Sequence, residues 1–82
     1  MPEISRFFGI IVYMFFNDHN PPHFKVKCGE FEANILIENG NVLNGELPAS
    51  KLKLVQAWAE IHKEELAIMW TTKEFHKIKP LS

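Results

Sequence analysis

No glycine or proline interrupts the chain from Ala49 to Lys79, whereas the residues before it are broken by both at short intervals. Gly and Pro are the strongest local punctuators of regular structure. The break at Pro48 therefore divides a part that reads as strands and turns from a part that reads as helix. Pro48-Ala49-Ser50 opens the helix, with Pro48 near the first turn or Ser50 as the N-cap. The helix is expected to run to about Trp70 or Glu74.

Upstream, Phe7 to Phe16 is an almost unbroken apolar run, rich in aromatic and β-branched residues, and reads as the first strand. His23 to Cys28 alternates, with Phe24, Val26 and Cys28 on one face and His23, Lys25 and Lys27 on the other. Gly29-Glu30 is a short hairpin turn. Phe31 to Glu38 alternates again, and Asn39-Gly40 is a strong hairpin signal before a short strand from Val42 to Leu47. The expected fold is α+β: a four-stranded antiparallel β-meander followed by one long C-terminal α-helix packed on one sheet face. It forms a single domain over residues 1–82.

A chain this short buries only about 60–65% of its unfolded surface. One helix covers one sheet face, yet the first strand is apolar on both. The second face is expected to be covered by another copy in a homo-oligomer, by a different protein, or by the chain's own tail "EFHKIKPLS".

The net charge of −1 gives no global field toward nucleic acid or anionic lipid. The apolar run after Arg6 has no small-residue cleavage site. It is also far short of the roughly 20 residues that span a bilayer as a helix. A single cysteine, Cys28, excludes an internal disulfide and fits a reducing compartment. These features point to a soluble cytoplasmic protein with no membrane association.

On a helical projection Leu54, Val55, Trp58, Ile61, Leu66 and Met69 form one stripe. His62 and Glu65 fall inside it, three residues apart, where they can pair. They read either as a satisfied pair under the sheet or as groups at a cleft, with His62 handling protons or a ligand. The segment "NDHNPPHF" presents a similar choice. Asp18 and Asn20 suit Asx-turns and Pro21-Pro22 stiffens the connection, with Asn20-Pro21 and Pro21-Pro22 the candidate cis bonds. A turn does not account for His19 and His23 on either side of the prolines. His19, His23 and His62 with Glu65 or Asp18 are ligand types that suit a divalent metal, but their spacing matches no metal motif, so no metal or cofactor is assigned. There is no phosphate-binding glycine loop and no nucleophile in a triad context. Lys51, Lys53, Lys73, His76, Lys77 and Lys79 read as solvated charges that could also meet phosphates.

The segment Met1, Pro2, Ile4, Phe7, then Asp18, His19, Pro21, Pro22, His23 and Phe24, resembles the opening of a small bacterial family, domain of unknown function number 4160. "NGNVLNGELP", Trp58, His62, Glu65-Leu66 and Trp70 continue the likeness over nearly the whole chain. Lys25 stands where that family usually carries a further histidine, which removes one ligand from any metal scheme. The resemblance implies a protein encoded beside another small protein, in a toxin–antitoxin-like arrangement.

Two functions are therefore expected to compete. The first is a component of a two-gene module that acts by protein–protein association, as a homo-oligomer or with a small partner encoded nearby. The alternative is an RNase-like toxin. It would use His19, His23 and His62 in acid–base chemistry with Glu65 orienting His62 and nearby lysines holding phosphate; Asp18, Lys25 and Lys27 are the candidate binding residues. A metal- or small-ligand-binding protein is the further alternative.

Overall fold

The structure, a computed structural model, describes residues 3–15 and 19–81. Its five strands are β1 Glu3–Phe7, β2 Ile10–Tyr13, β3 His23–Cys28, β4 Phe31–Leu36 and β5 Val42–Gly45. They form one antiparallel sheet in the order β1-β2-β3-β4-β5. Helices α1 Ala49–Ile61 and α2 Lys63–Thr72 follow. The class is the expected α+β, but the sheet has five strands rather than four, and the one long helix is two.

The extra strand arises because Phe7–Phe16 is not continuous. Phe8 and Gly9 have φ of 49° and 75°, and Phe7 pairs with Ile10 across them. Positive φ at both central residues is the type I′ hairpin turn, whose twist matches that of the strands it joins. The sequence hides this turn because Phe, unlike Asn, is a poor left-handed residue. Phe8 is exposed, and its carbonyl accepts a 2.9 Å hydrogen bond from Lys51 Nζ. Replacing it with Asn keeps that backbone contact and relieves the dihedral. Phe8→Asn is expected to stabilise the protein by about 0.5–1 kcal/mol, read as a higher denaturation midpoint at unchanged m-value.

With β2 separated, alternation is restored. Ile10, Val12 and Met14 are fully buried, while Ile11, Tyr13 and Phe15 are half-buried on the other face. Tyr13 and Phe15 stack at 6.2 Å, and Lys25 Nζ lies 5.8 Å from the Phe15 ring. Both faces of β2 are thus apolar, and Ile11, Tyr13 and Phe15 stay only half-buried on the outer one.

The expected hairpin at Asn39-Gly40 forms, joining β4 to β5 through a loop longer than a two-residue turn. Only Gly40 has positive φ, and the loop is closed by Leu36 N–H donating to Asn41 O at 2.9 Å. Ile37 leaves the strand to bury its side chain, while its N–H donates to Pro22 O. The Gln56 amide in α1 donates to Gly40 O at 2.9 Å, fastening the loop to the helix.

Pro48 occupies the N-cap of α1, without a side-chain cap bond, so Ser50 does not serve there. His62 interrupts the helix with φ −107° and ψ 20°, yet the bonding ladder persists through it. His62 N–H donates to Trp58 O at 3.1 Å, and Leu66 N–H donates to His62 O at 2.9 Å. Val55, Trp58, Ala59, Leu66, Met69 and Trp70 face the sheet and are buried. Ile61, expected in the stripe, is 66% exposed. With Trp58 taken as zero, Val55, His62 and Ala59 lie at about 60°, 40° and 100°, and Ile61 falls at about −60°, outside that face.

After Lys73, whose αL conformation ends α2, the tail runs back to β1. Ile78 is buried, its N–H donates to Ile4 O at 2.7 Å, and its carbonyl accepts from Ser5 Oγ at 3.1 Å. Trp58 Nε1 donates to Lys79 O at 3.0 Å. Lys77 Nζ reaches Glu3 at 3.5 Å, and Glu3 also pairs with Arg6 at 2.9 Å. The Arg6 hydrogen bond, with the charges of Arg6 and Lys77, holds the Glu3 carboxyl below its ordinary range. The tail therefore shields part of the β1 edge, one of the ways natural sheets avoid edge-to-edge pairing.

Candidate functional site

The histidines fall into two groups at different places along α2. His23 begins β3 and is buried, with its ring 5.3 Å from that of Trp70. Its Nδ1 lies 2.8 Å from Pro21 O, and since a carbonyl only accepts, Nδ1–H is the donor. The Asn20–Pro21 bond is cis. Lys73 Nζ sits 3.8 Å from the Trp70 ring. His19 is exposed and lines an open cleft of about 580 Å³ with Asn20, Pro22, Trp70, Thr71 and Lys73. Asp18 lies outside the described residues. Strict alternation assigns His23 to the face of Lys25 and Lys27. Its contact with Trp70 places it against α2 at the strand's first residue.

His62 belongs to the second group. Its ring packs 5.4 Å from Trp58, and its Nδ1 is 3.4 Å from Glu65 Oε1. The other carboxylate oxygen of Glu65 is 3.4 Å from His76 Nε2. Glu65 thus bridges a helix histidine and a tail histidine. The His62–Glu65 pairing follows from their spacing on one helix face. His76 was missed because the pair depends on the tail folding back, and no periodicity in the sequence signals that. Both nitrogens of His76 face acceptors, since Nδ1 also lies 3.0 Å from Lys77 O. Among the described residues, no three or more His, Cys, Asp or Glu side chains are placed to hold a metal ion.

His62 precedes Trp70 by eight positions, which is about 12 Å along a helix. His19 and His23 gather at the Trp70 end, and His62 with Glu65 at the other. Lys25 is held by Glu32 at 3.5 Å and by Phe15, and Lys27 is exposed on the same outer face.

Beside Glu65 the bend at His62 leaves an open concave surface of about 740 Å³, lined by Glu60, Ile61, His62, Lys63, Glu64, Glu65 and Ile68. Ile61 and Ile68 are 66% and 61% exposed and stand seven residues apart, two turns of helix.

A family model described as a domain of unknown function, DUF4160, matches residues 9–71. The chain belongs to this family. The DUF4160 match takes in His19, His23, His62 and Glu65, together with both isoleucines of the concave surface. It stops short of β1 and of the tail, the two segments joined through Ile4, Ser5 and Ile78. No curated protein and no solved structure gives a significant match. Among the described residues, no helix is long and apolar enough to cross a membrane.

Proposed function

We propose that this DUF4160 protein works by protein–protein association, as the non-catalytic member of a two-gene, toxin–antitoxin-like pair. The observation that carries this reading is the exposure of Ile61, which ends α1, and Ile68 of α2 on one concave surface. Two large aliphatic side chains seven residues apart match the spacing at which helices present anchors to a partner. The partner is a small protein encoded nearby or a second copy of the chain. Cys28, half-buried and unpaired, fits a reducing compartment, which supports placing the protein in the cytoplasm.

The test is co-expression with the product of the adjacent reading frame, followed by size-exclusion chromatography with light scattering. A complex of defined stoichiometry is expected. A chain that stays monomeric at high concentration and elutes apart from that product would count decisively against association.

The RNase-like reading draws on His19, His23 and His62 together, and of these His19 lines the open cleft beside Trp70 and Lys73. Acid–base catalysis needs its groups within hydrogen-bond reach of one substrate. His62 lies at the other end of α2, so this reading rests on the loop histidines alone. Alanine at His19 and His23 is expected to leave any growth phenotype of the expressed protein unchanged, and loss of the phenotype with retained folding would restore the enzymatic reading.

A further inference from the structure

We infer that the concave surface at the α1–α2 bend takes a basic amphipathic helical segment of a partner protein, an assignment that rests on the association reading above. Ile61 and Ile68 supply two apolar anchors, and Glu64 and Glu65 project between them by helical spacing. Glu60 completes an acidic rim of three carboxylates against the single ammonium of Lys63, with His62 half-buried beneath. The whole chain carries a net charge of only −1, so this face is more acidic than the molecule as a whole.

Charge complementarity decides between occupants. A second copy docked through the same face, with a two-fold axis between Ile61 and Ile68, would set Glu64 and Glu65 against their own counterparts. That juxtaposition opposes four carboxylates at the centre of the contact, where like charges are most costly. RNA meets the same carboxylates with its phosphates. A helix with apolar residues seven apart and Lys or Arg between them satisfies both features, because its anchors meet the two isoleucines while its cations meet the rim. Glu65 already bridges His62 and His76, which fixes its carboxylate in place at the edge of the surface.

The experiment uses the full chain and two synthetic helical peptides. One carries leucines seven residues apart with lysines between them, and the other carries glutamate in place of each lysine. By calorimetry the lysine peptide is expected to bind at least about tenfold more tightly than the glutamate peptide. Its binding should weaken several-fold between about 0.05 M and about 0.5 M salt. Ile61→Asp with Ile68→Asp should reduce binding by at least about tenfold, a clear interface anchor effect. Glu60→Lys with Glu64→Lys should reverse the preference between peptides. All four positions are exposed, so the denaturation midpoint serves as the check that each variant is folded.

Equal binding of the two peptides, or binding that survives the double aspartate variant, overturns the assignment. So does concentration-dependent dimerisation abolished by Ile61→Asp and Ile68→Asp, which would make the second copy the occupant. Binding of a single-stranded RNA oligonucleotide lost in that variant would do the same. If the co-encoded protein still co-elutes with the double aspartate variant, association stands and this surface is the wrong one. If the lysine peptide binds as expected while the co-encoded protein does not co-elute, the surface stands and the two-gene partner falls.

Discussion

Trp58→Ala is expected to be among the most destabilising single substitutions in this chain, by about 3–5 kcal/mol in urea denaturation. Trp58 is fully buried, and its ring lies 5.6 Å from Phe7, 5.8 Å from Phe24 and 5.4 Å from His62. These contacts join β1, β3 and the helix break through one side chain. Removing a buried Trp costs about 3–5 kcal/mol. At roughly 0.05–0.15 kcal/mol per residue a domain of this length has about 4–12 kcal/mol in total, so the loss removes a large share of it. The indole adds a separate link, because Nε1 donates to Lys79 O and holds the tail. Trp58→Phe separates the two roles. It keeps an aromatic ring among Phe7, Phe24 and His62 but loses the tether, and about 1–2 kcal/mol of destabilisation is expected. Its distinctive readout is faster trypsin cleavage at the exposed Lys77, with the sheet still protected. Equal cleavage rates in Trp58→Phe and the parent would show that the tail is held by Ile78 and Ser5 without help from the indole.

The elements that the sequence made legible are those whose side chains are sorted by local period. His23–Cys28 was bounded correctly because Phe24 and Val26 alternate with Lys25 and Lys27, and the two lysines can lie on the outer face without cost. The helical region was legible from its freedom from Gly and Pro. His62 on the inner side of the helix also followed from projection, since its spacing from Trp58 and Val55 places it at the middle of the buried face. Positive backbone dihedrals at residues that do not ordinarily adopt them were not legible. Phe8 at φ 49° turned one apparent strand into two, and apolar residues at Phe7 and Ile10 concealed the reversal. The His62 departure from helical dihedrals carries no Gly or Pro to announce it. The candidate site divides in the same way. His62–Glu65 is a local pair and was visible, while His76 joins it through tertiary contact at 3.4 Å and was not. His23 against Trp70 depends on where β3 begins relative to α2, which is set by packing across the sheet.

The second large effect is expected at Gly45, where alanine should destabilise the protein by about 2–3 kcal/mol through backbone strain and a forced separation of strands. Gly45 ends β5 with φ +84°, opposite Ala33 of β4. A Cβ built there meets the Glu32 carbonyl and lies 2.8 Å from Ala33 Cα. Both obstacles are backbone, so no rotamer change relieves them. Relief requires β5 to move away from β4, which breaks the Ala33–Gly45 pairing and the 2.9 Å bond from Glu46 N–H to Glu32 O. Gly9→Ala is the matched control. Gly9 has φ +75°, and nothing lies within 4 Å of its added Cβ, so that variant bears only the dihedral cost of about 1–2 kcal/mol. The difference between the two variants in urea denaturation isolates the steric part. It also reports on the far edge of the sheet, where Val42 and Leu43 are exposed. If Gly45→Ala loosens β5, amide exchange should rise first at Asn44 and Glu46 and leave β2 and β3 protected. A Gly45→Ala stability within about 0.5 kcal/mol of Gly9→Ala would mean that β5 yields without resistance, and that β1 to β4 with the two helices constitute the stable unit.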